Sequence, residues 1–67
     1  MKIQLNFEPY SLPGESATVA EILARKRWSF PLIIVKIDGE VVARDDWATR
    51  SVRDGNTVEM YHLVSGG

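Results

Sequence analysis

The 67-residue chain contains no cysteine and one histidine, His62. Without cysteine it can form neither a disulfide nor a cysteine-based zinc site, and no side chain of its own can carry a thioester or a persulfide. A lone histidine is a poor metal ligand or triad member, so a strand end or a partner contact is the better interpretation of His62. We therefore predict no metal site, no bound cofactor and no enzyme activity of the chain itself.

The chain also lacks a strong charge of either sign and a long apolar run. Its net charge of −1 gives no general reason to bind nucleic acid or an anionic membrane. The longest apolar run, residues 30–35, is too short to span a bilayer. Residues 1–7 alternate polar and apolar side chains and do not resemble a signal peptide. We expect a cytoplasmic protein with no membrane or nucleic-acid partner.

The N-terminal pattern predicts a strand followed by a short hairpin. Residues 2–7 alternate, which is typical of a half-buried strand, and its buried face would hold Ile3, Leu5 and Phe7. A turn at residues 8–9 would lead into a short returning strand at residues 10–12.

A helix is predicted next by its start signal. Thr18 and Glu21 have the spacing of a capping box, and the apolar stripe behind them is Val19, Ile22 and Leu23. The cations at residues 25–27 suit the end of a helix, and Pro31 prevents its continuation. We interpret residues 25–27 as a solvated helix end, with a contact to an acidic partner as the alternative.

Three more strands are predicted in the second half. Residues 32–37 read as a central strand, and the turn Asp38-Gly39 leads to a returning strand at residues 40–44. Residues 45–49 predict a helical turn that Asp45 and Asp46 cap, and we prefer that function to a catalytic carboxylate pair. After a tight turn at residues 54–56, residues 57–64 form the last strand.

The order β-β-α-β-β-β bounds the architecture. One helix can cover only one face of a sheet, so we predict an α+β domain with a mixed sheet of about five strands and one main helix on one face. This is the β-grasp arrangement, in which the first and last strands lie parallel in the middle of the sheet. We predict a single domain over residues 1–67, with Trp28 and Trp47 in the core or at its rim.

The C-terminus is the most informative segment. The last strand runs almost to the end of the chain, which closes on Ser65-Gly66-Gly67. Two glycines give a thin thread with few backbone restrictions, and residues 63–67 can reach about 13–14 Å when extended. We predict that residues 65–67 are a flexible tail whose terminal carboxylate enters a partner. By strand parity Tyr61 and Leu63 point away from the helix, where they would form a docking patch.

Three segments together resemble the ThiS family, the ubiquitin-like sulfur carriers of thiamine biosynthesis. They are Arg44-Asp45-Asp46-Trp47, residues 52–59 with their Asp-Gly turn, and Val64-Ser65-Gly66-Gly67. The similarity spans nearly the whole chain, and the three segments at these separations are more specific than any one alone.

The resemblance implies a carrier rather than an enzyme. A ubiquitin-activating-type adenylyltransferase would use ATP to adenylate the carboxylate of Gly67, and a sulfur donor such as a cysteine desulfurase would convert it to a thiocarboxylate. Thiazole synthase would accept the sulfur. The resemblance gives the tail chemistry to Gly66 and Gly67 and partner contacts to Tyr61, Leu63, Val64 and Ser65. We expect a monomer that forms transient complexes.

Several alternatives share the same tail. The chain could supply sulfur to molybdopterin, as the related small subunit of molybdopterin synthase does, or to cysteine, tRNA or siderophore pathways. It could be a modifier that forms isopeptide bonds to lysines. It could also be a plain ubiquitin-like binding module whose Gly-Gly end is incidental.

Overall fold

The structure is a computed structural model that describes residues 1–29 and 32–62. These residues form seven strands and one α-helix: β1 (Lys2–Leu5), β2 (Glu8–Ser11), β3 (Ser16–Thr18), α1 (Val19–Lys26), β4 (Ile33–Ile37), β5 (Glu40–Val42), β6 (Ser51–Arg53) and β7 (Thr57–His62). A 3₁₀ turn at Arg44–Asp46 follows β5.

Five of these strands form one mixed sheet in the order β2-β1-β7-β4-β5. Strands β1 and β7 pair in parallel, with Leu5 opposite Val58, and the other neighbours are antiparallel. The predicted β-grasp fold is confirmed, including the first and last strands side by side and β7 at the centre.

The core lies between the inner face of this sheet and α1. The most completely buried side chains come from the sheet, the helix and β6: Ile3, Ile22, Val19, Val35, Val52 and Val58. The helix buries the predicted stripe, and Trp28 and Trp47 pack half-buried at the core's rim. Within the described ranges no helix has the length and apolarity to cross a bilayer.

Two sets of hydrogen bonds stabilise the N-terminus of α1. Thr18 and Glu21 form the predicted capping box, in which the Glu21 amide donates to the Thr18 hydroxyl at 3.1 Å. The amides of Val19 and Ala20 donate to the carbonyls of Arg50 and Trp47 at 3.1 and 2.9 Å. The loop after β5 thus satisfies helix donors that have no partner within the helix.

The small sheet was missed by the sequence pattern. Strand β3 pairs with β6 in antiparallel register, and Ala17 lies opposite Val52. Each strand has three residues, which is too short for alternation to stand out. The pair packs Ala17 and Val52 into the same core as α1.

The first hairpin corrects two predictions. Its turn lies at Asn6 and Phe7, both with positive φ, and not at residues 8–9, which belong to β2. Phe7 is therefore not on the buried face but 73% exposed. Pro9 fits β2 because β2 is an edge strand and needs no donor on its outer side.

The segment after β5 corrects a third prediction. The returning strand ends at Val42, and the 3₁₀ turn begins after Ala43 without any side-chain cap. Asp45 and Asp46 lie exposed within this turn and do not cap it. Hairpin chemistry was read correctly at Asp38-Gly39, which joins β4 to β5 with both residues at positive φ.

Replacing Ile22 with Ala should destabilise the domain severely. Ile22 is fully buried, and removing a buried Ile side chain typically lowers the free energy of unfolding by about 2–5 kcal/mol. That loss is comparable to the whole stability that a core of this size provides. Urea unfolding measures it, with Arg25→Ala on the exposed face of α1 as the control, expected within about 0.5 kcal/mol of wild type. Equal stability of the two variants would contradict the core described above.

Candidate functional site

Several elements finish at one end of the five-stranded sheet, which we call the carboxyl end. Because β1 and β7 are parallel, both run toward this end: β1 turns away at Asn6, just after the Leu5–Val58 pair, and β7 continues to His62. The end of α1 lies there as well, since Trp28 lines a shallow apolar groove with Ile33, Met60 and His62. The described part of β7 therefore ends, at His62, at the carboxyl end.

Asn6 holds β7 in place after β1 has ended. The amides of Gln4 and Asn6 donate to the carbonyls of Asn56 and Val58 at 3.0 and 2.9 Å, as a parallel ladder requires. At the next step the Asn6 side chain replaces the missing strand. Its Nδ2 donates to the Met60 carbonyl at 3.1 Å, and its Oδ1 accepts from the Met60 amide at 2.8 Å.

This arrangement explains why Asn suits the position. Asn tolerates the left-handed backbone of the turn, where φ of Asn6 is 51°, and its amide carries both a donor and an acceptor. One residue thus ends β1 and extends the ladder by one step. On its other side β7 pairs with β4 as far as His62, which lies opposite Ile33. The strand is consequently supported on both sides close to its end.

The outer face of the sheet, away from α1, carries an exposed apolar patch. Tyr61 lies opposite Ile34 on β4 and is 37% exposed, which agrees with its predicted orientation. Val41 on β5 and Leu32 before β4 are 60% and 51% exposed. We call Leu32, Ile34, Val41 and Tyr61 the outer-face patch. Exposed apolar residues grouped in this way are typical of docking surfaces.

The Tyr61 hydroxyl is oriented by a neighbour on its own strand. It donates a hydrogen bond to the Glu59 carboxylate. This hydrogen bond, with partial desolvation and the negative charge of Glu59, raises the pKa of Tyr61 above its ordinary value of 10.0. The phenol therefore stays neutral across the physiological range, and its ring is presented as an apolar surface with a fixed polar edge.

The remaining predicted site residues fall into two groups. Leu63, Val64, Ser65, Gly66 and Gly67, and the flexible tail at residues 65–67, lie outside the described residues. His62 is at the exposed end of β7, as its strand-end interpretation expects. Over residues 1–29 and 32–62 there is no group of three or more His, Asp and Glu side chains that could hold a metal ion.

Sequence reasoning missed four residues that shape this region. Leu32, Ile34 and Val41 belong to the outer-face patch, and parity from the Asp38-Gly39 turn could have placed them on the face of Tyr61. The role of Asn6 could not be predicted from the sequence. Asparagine is common in turns, and its hydrogen bonds to Met60 depend on the pairing of β1 with β7.

Comparison with known proteins agrees with this geometry. The sequence model of the ThiS family matches residues 3–67. The crystal structure of a thiamine biosynthesis protein (ThiS) from Geobacter metallireducens is 30% identical, with 100% of each chain covered and a TM-score of 0.87. A solution NMR structure of a thiamine biosynthesis protein from the same organism is 30% identical, covers 100% of this chain and 88% of the other, and has a TM-score of 0.80. A comparison with curated proteins gives no match.

Replacing Asn6 with Gly should loosen the end of β7 specifically. Gly keeps the left-handed turn but removes both side-chain hydrogen bonds to Met60. Losing one to two kcal/mol there should speed amide hydrogen exchange at Met60 by roughly 5–30-fold. NMR-detected exchange measures this, and Gln4→Ala on the same strand should leave the Met60 rate unchanged. A Met60 rate equal to that of wild type in Asn6→Gly would show that the side chain is dispensable.

Proposed function

Because the chain belongs to the ThiS family, we propose that it is a sulfur carrier protein of thiamine biosynthesis and a co-substrate of partner enzymes rather than an enzyme. The observation that carries this proposal is the position of the terminus. The Gly-Gly end follows the central, doubly supported strand β7 by a few residues, and the family match extends through Gly67.

The chemistry begins with activation of the Gly67 carboxylate. A carboxylate resists nucleophiles because it carries negative charge. A ubiquitin-activating-type adenylyltransferase would let a carboxylate oxygen attack the α-phosphorus of ATP, forming the acyl-adenylate and releasing pyrophosphate. The carbon then bears no charge and has AMP as a leaving group. ATP is therefore a substrate of the partner and not a cofactor bound by this chain.

Sulfur replaces AMP in the second step. A sulfur donor, such as a cysteine desulfurase, supplies persulfide sulfur that attacks the acyl carbon as AMP leaves. A thiol then reduces the resulting sulfur–sulfur bond, and the thiocarboxylate is released. Since this chain contains no cysteine, both the persulfide and the reducing thiol must come from other molecules. Thiazole synthase would then take the sulfur from the thiocarboxylate as it builds the thiazole ring.

Gly66 and Gly67 serve this chemistry through their small size. Without a Cβ they can pass a narrow entrance to an active site and present an unshielded carboxylate. Leu63, Val64 and Ser65 would line the entrance, and the outer-face patch around Tyr61 would hold the body against the enzyme. Recognition is thereby assigned to the outer face of the sheet and reaction to the last two residues of the chain.

Other sulfur-transfer pathways would use the same Gly-Gly terminus and differ only in the molecule that accepts the sulfur. Transfer of the thiocarboxylate sulfur to molybdopterin, cysteine or tRNA would require the same activation. A protein modifier would instead form conjugates to lysines. Purified thiazole synthase distinguishes these possibilities, because only the thiamine role predicts that it consumes the thiocarboxylate.

Intact-mass spectrometry tests the proposal directly. After incubation with ATP, the adenylyltransferase from the same genome and a persulfide source, the chain should gain the mass difference between one sulfur and one oxygen atom. Deletion of Gly67 should abolish this gain with little change in melting temperature, because the buried side chains of the described residues, from Ile3 to Met60, already form a continuous core. A wild-type chain whose mass stays constant would refute the carrier function, and unfolding on deletion of Gly67 would place the terminus within the core.

Replacing Tyr61 with Ala should impair docking more than folding. The ring is partly exposed on the outer face, so we expect about tenfold weaker binding to the adenylyltransferase. Isothermal titration calorimetry measures the affinity, and Thr57→Ala on the same face, at the far end of β7, is the control. A loss of stability above about 2 kcal/mol would instead mean that Tyr61 serves the fold.

A further inference from the structure

Phe7 is a large apolar residue at an exposed turn position, where it contributes little to the core. It is the second residue of the two-residue turn between β1 and β2, with φ of 68°. Turns of this kind favour Gly there, because a side chain with a Cβ is strained at positive φ. Phe7 is also 73% exposed, so its ring gains little from the core. A bulky apolar residue that is both strained and exposed indicates a contact outside the chain.

Beside this turn lies a groove with aromatic walls and a cation. Asn6 and Glu8, the neighbours of Phe7, line it together with Pro9, Tyr10, Lys26 and Trp28. The Lys26 ammonium sits 5.1 Å from the centre of the Tyr10 ring and 5.2 Å from the ring of Trp28. Two aromatic rings thus hold the ammonium in place, at distances typical of cation–π contacts.

Basic residues accompany this groove. Lys26 lines it, and its chain neighbours Arg25 and Arg27 are exposed at the end of α1. Over the described ranges none of the three has a salt bridge to a carboxylate. Glu8 is the one carboxylate among the described residues that line the groove. The chain as a whole has a net charge of −1, so these three positive charges are concentrated here while the rest of the chain is net negative. The surface therefore complements a negatively charged partner.

The groove also lies where a partner must approach. It adjoins the carboxyl end of the sheet, because Asn6 contacts Met60 and Trp28 lines both this groove and the one beside His62. It is distinct from the outer-face patch, since Trp28 packs on the core side of the sheet. An enzyme that receives the chain beyond His62 would meet both surfaces, one on each side of β7.

We propose that Phe7 and the basic groove of Tyr10, Lys26 and Trp28 form a second docking surface, which binds an acidic segment with an apolar side chain on the adenylylating enzyme. The proposal rests on the proposed function for the identity of that enzyme. Phe7 inserts among apolar side chains of the segment, and its carboxylates pair with Arg25, Lys26 and Arg27. The contribution of the Phe7 ring to binding explains why a residue with a Cβ occupies this positive-φ position, where Gly would be unstrained.

Affinity and stability of the full chain should change in opposite directions on Phe7→Gly. Relief of backbone strain should leave the melting temperature equal or higher, whereas affinity for the purified adenylyltransferase should fall about tenfold. Phe7→Tyr keeps the ring and should retain wild-type affinity. The double variant Arg25→Glu/Arg27→Glu should lose at least as much affinity and become less sensitive to added salt, since its charge complementarity is gone.

A charge-reversal control away from the groove keeps the test specific. Arg53→Glu reverses one charge, where the double variant reverses two, near the turn at residues 54–56 at the opposite end of β7. It should bind within about twofold of wild type. If wild type is adenylated while Phe7→Gly and Arg25→Glu/Arg27→Glu bind as well as the control, this inference is wrong and the carrier function stands. If wild type neither binds nor is adenylated, both are refuted.

Discussion

The parallel pairing of the first and last strands is the constraint on which the rest of the structure depends. It brings Leu5 and Val58, separated by most of the chain, into register at the centre of the sheet. Closing so long a loop is entropically unfavourable, and burial of both strands beneath α1 offsets that loss. Because the pairing is parallel, β1 and β7 run toward the same end of the sheet, and β7 continues past the end of β1 at Leu5 as far as His62.

The same pairing creates the problem that Asn6 solves. Because β1 turns back at Asn6, β7 loses its neighbour on that side before it reaches His62. The Asn6 amide supplies the missing ladder step to Met60, while β4 supports the opposite edge. Two surfaces flank the end of β7: the outer-face patch around Tyr61 and the basic groove below Phe7.

The sequence was informative where local chemistry and burial agree. The capping box at Thr18, the stripe behind it and the Asp38-Gly39 turn are local signals, and all three are confirmed. Phe7 was wrongly placed on the buried face because the alternation of polar and apolar residues continues through residues 6 and 7. The turn there is visible only in the positive φ angles of Asn6 and Phe7. The prediction that Asp45 and Asp46 are caps was wrong because the 3₁₀ turn begins at Arg44, which puts Ala43 at the N-cap and both aspartates within the turn. Leu63–Gly67 carry the proposed chemistry, and their prediction rests on composition and family resemblance alone.

The central position of β7 also has a mechanical consequence. A force applied to the end of β7 at His62 along the strand axis is perpendicular to the ladder hydrogen bonds, which run across the strand. The load is then shared in shear by bonds to β1, Asn6 and β4, instead of peeling them apart one at a time. A strand at the edge of the sheet would have only one such ladder. A pull on the end of β7 along its axis would therefore have to break two ladders together before the core could open.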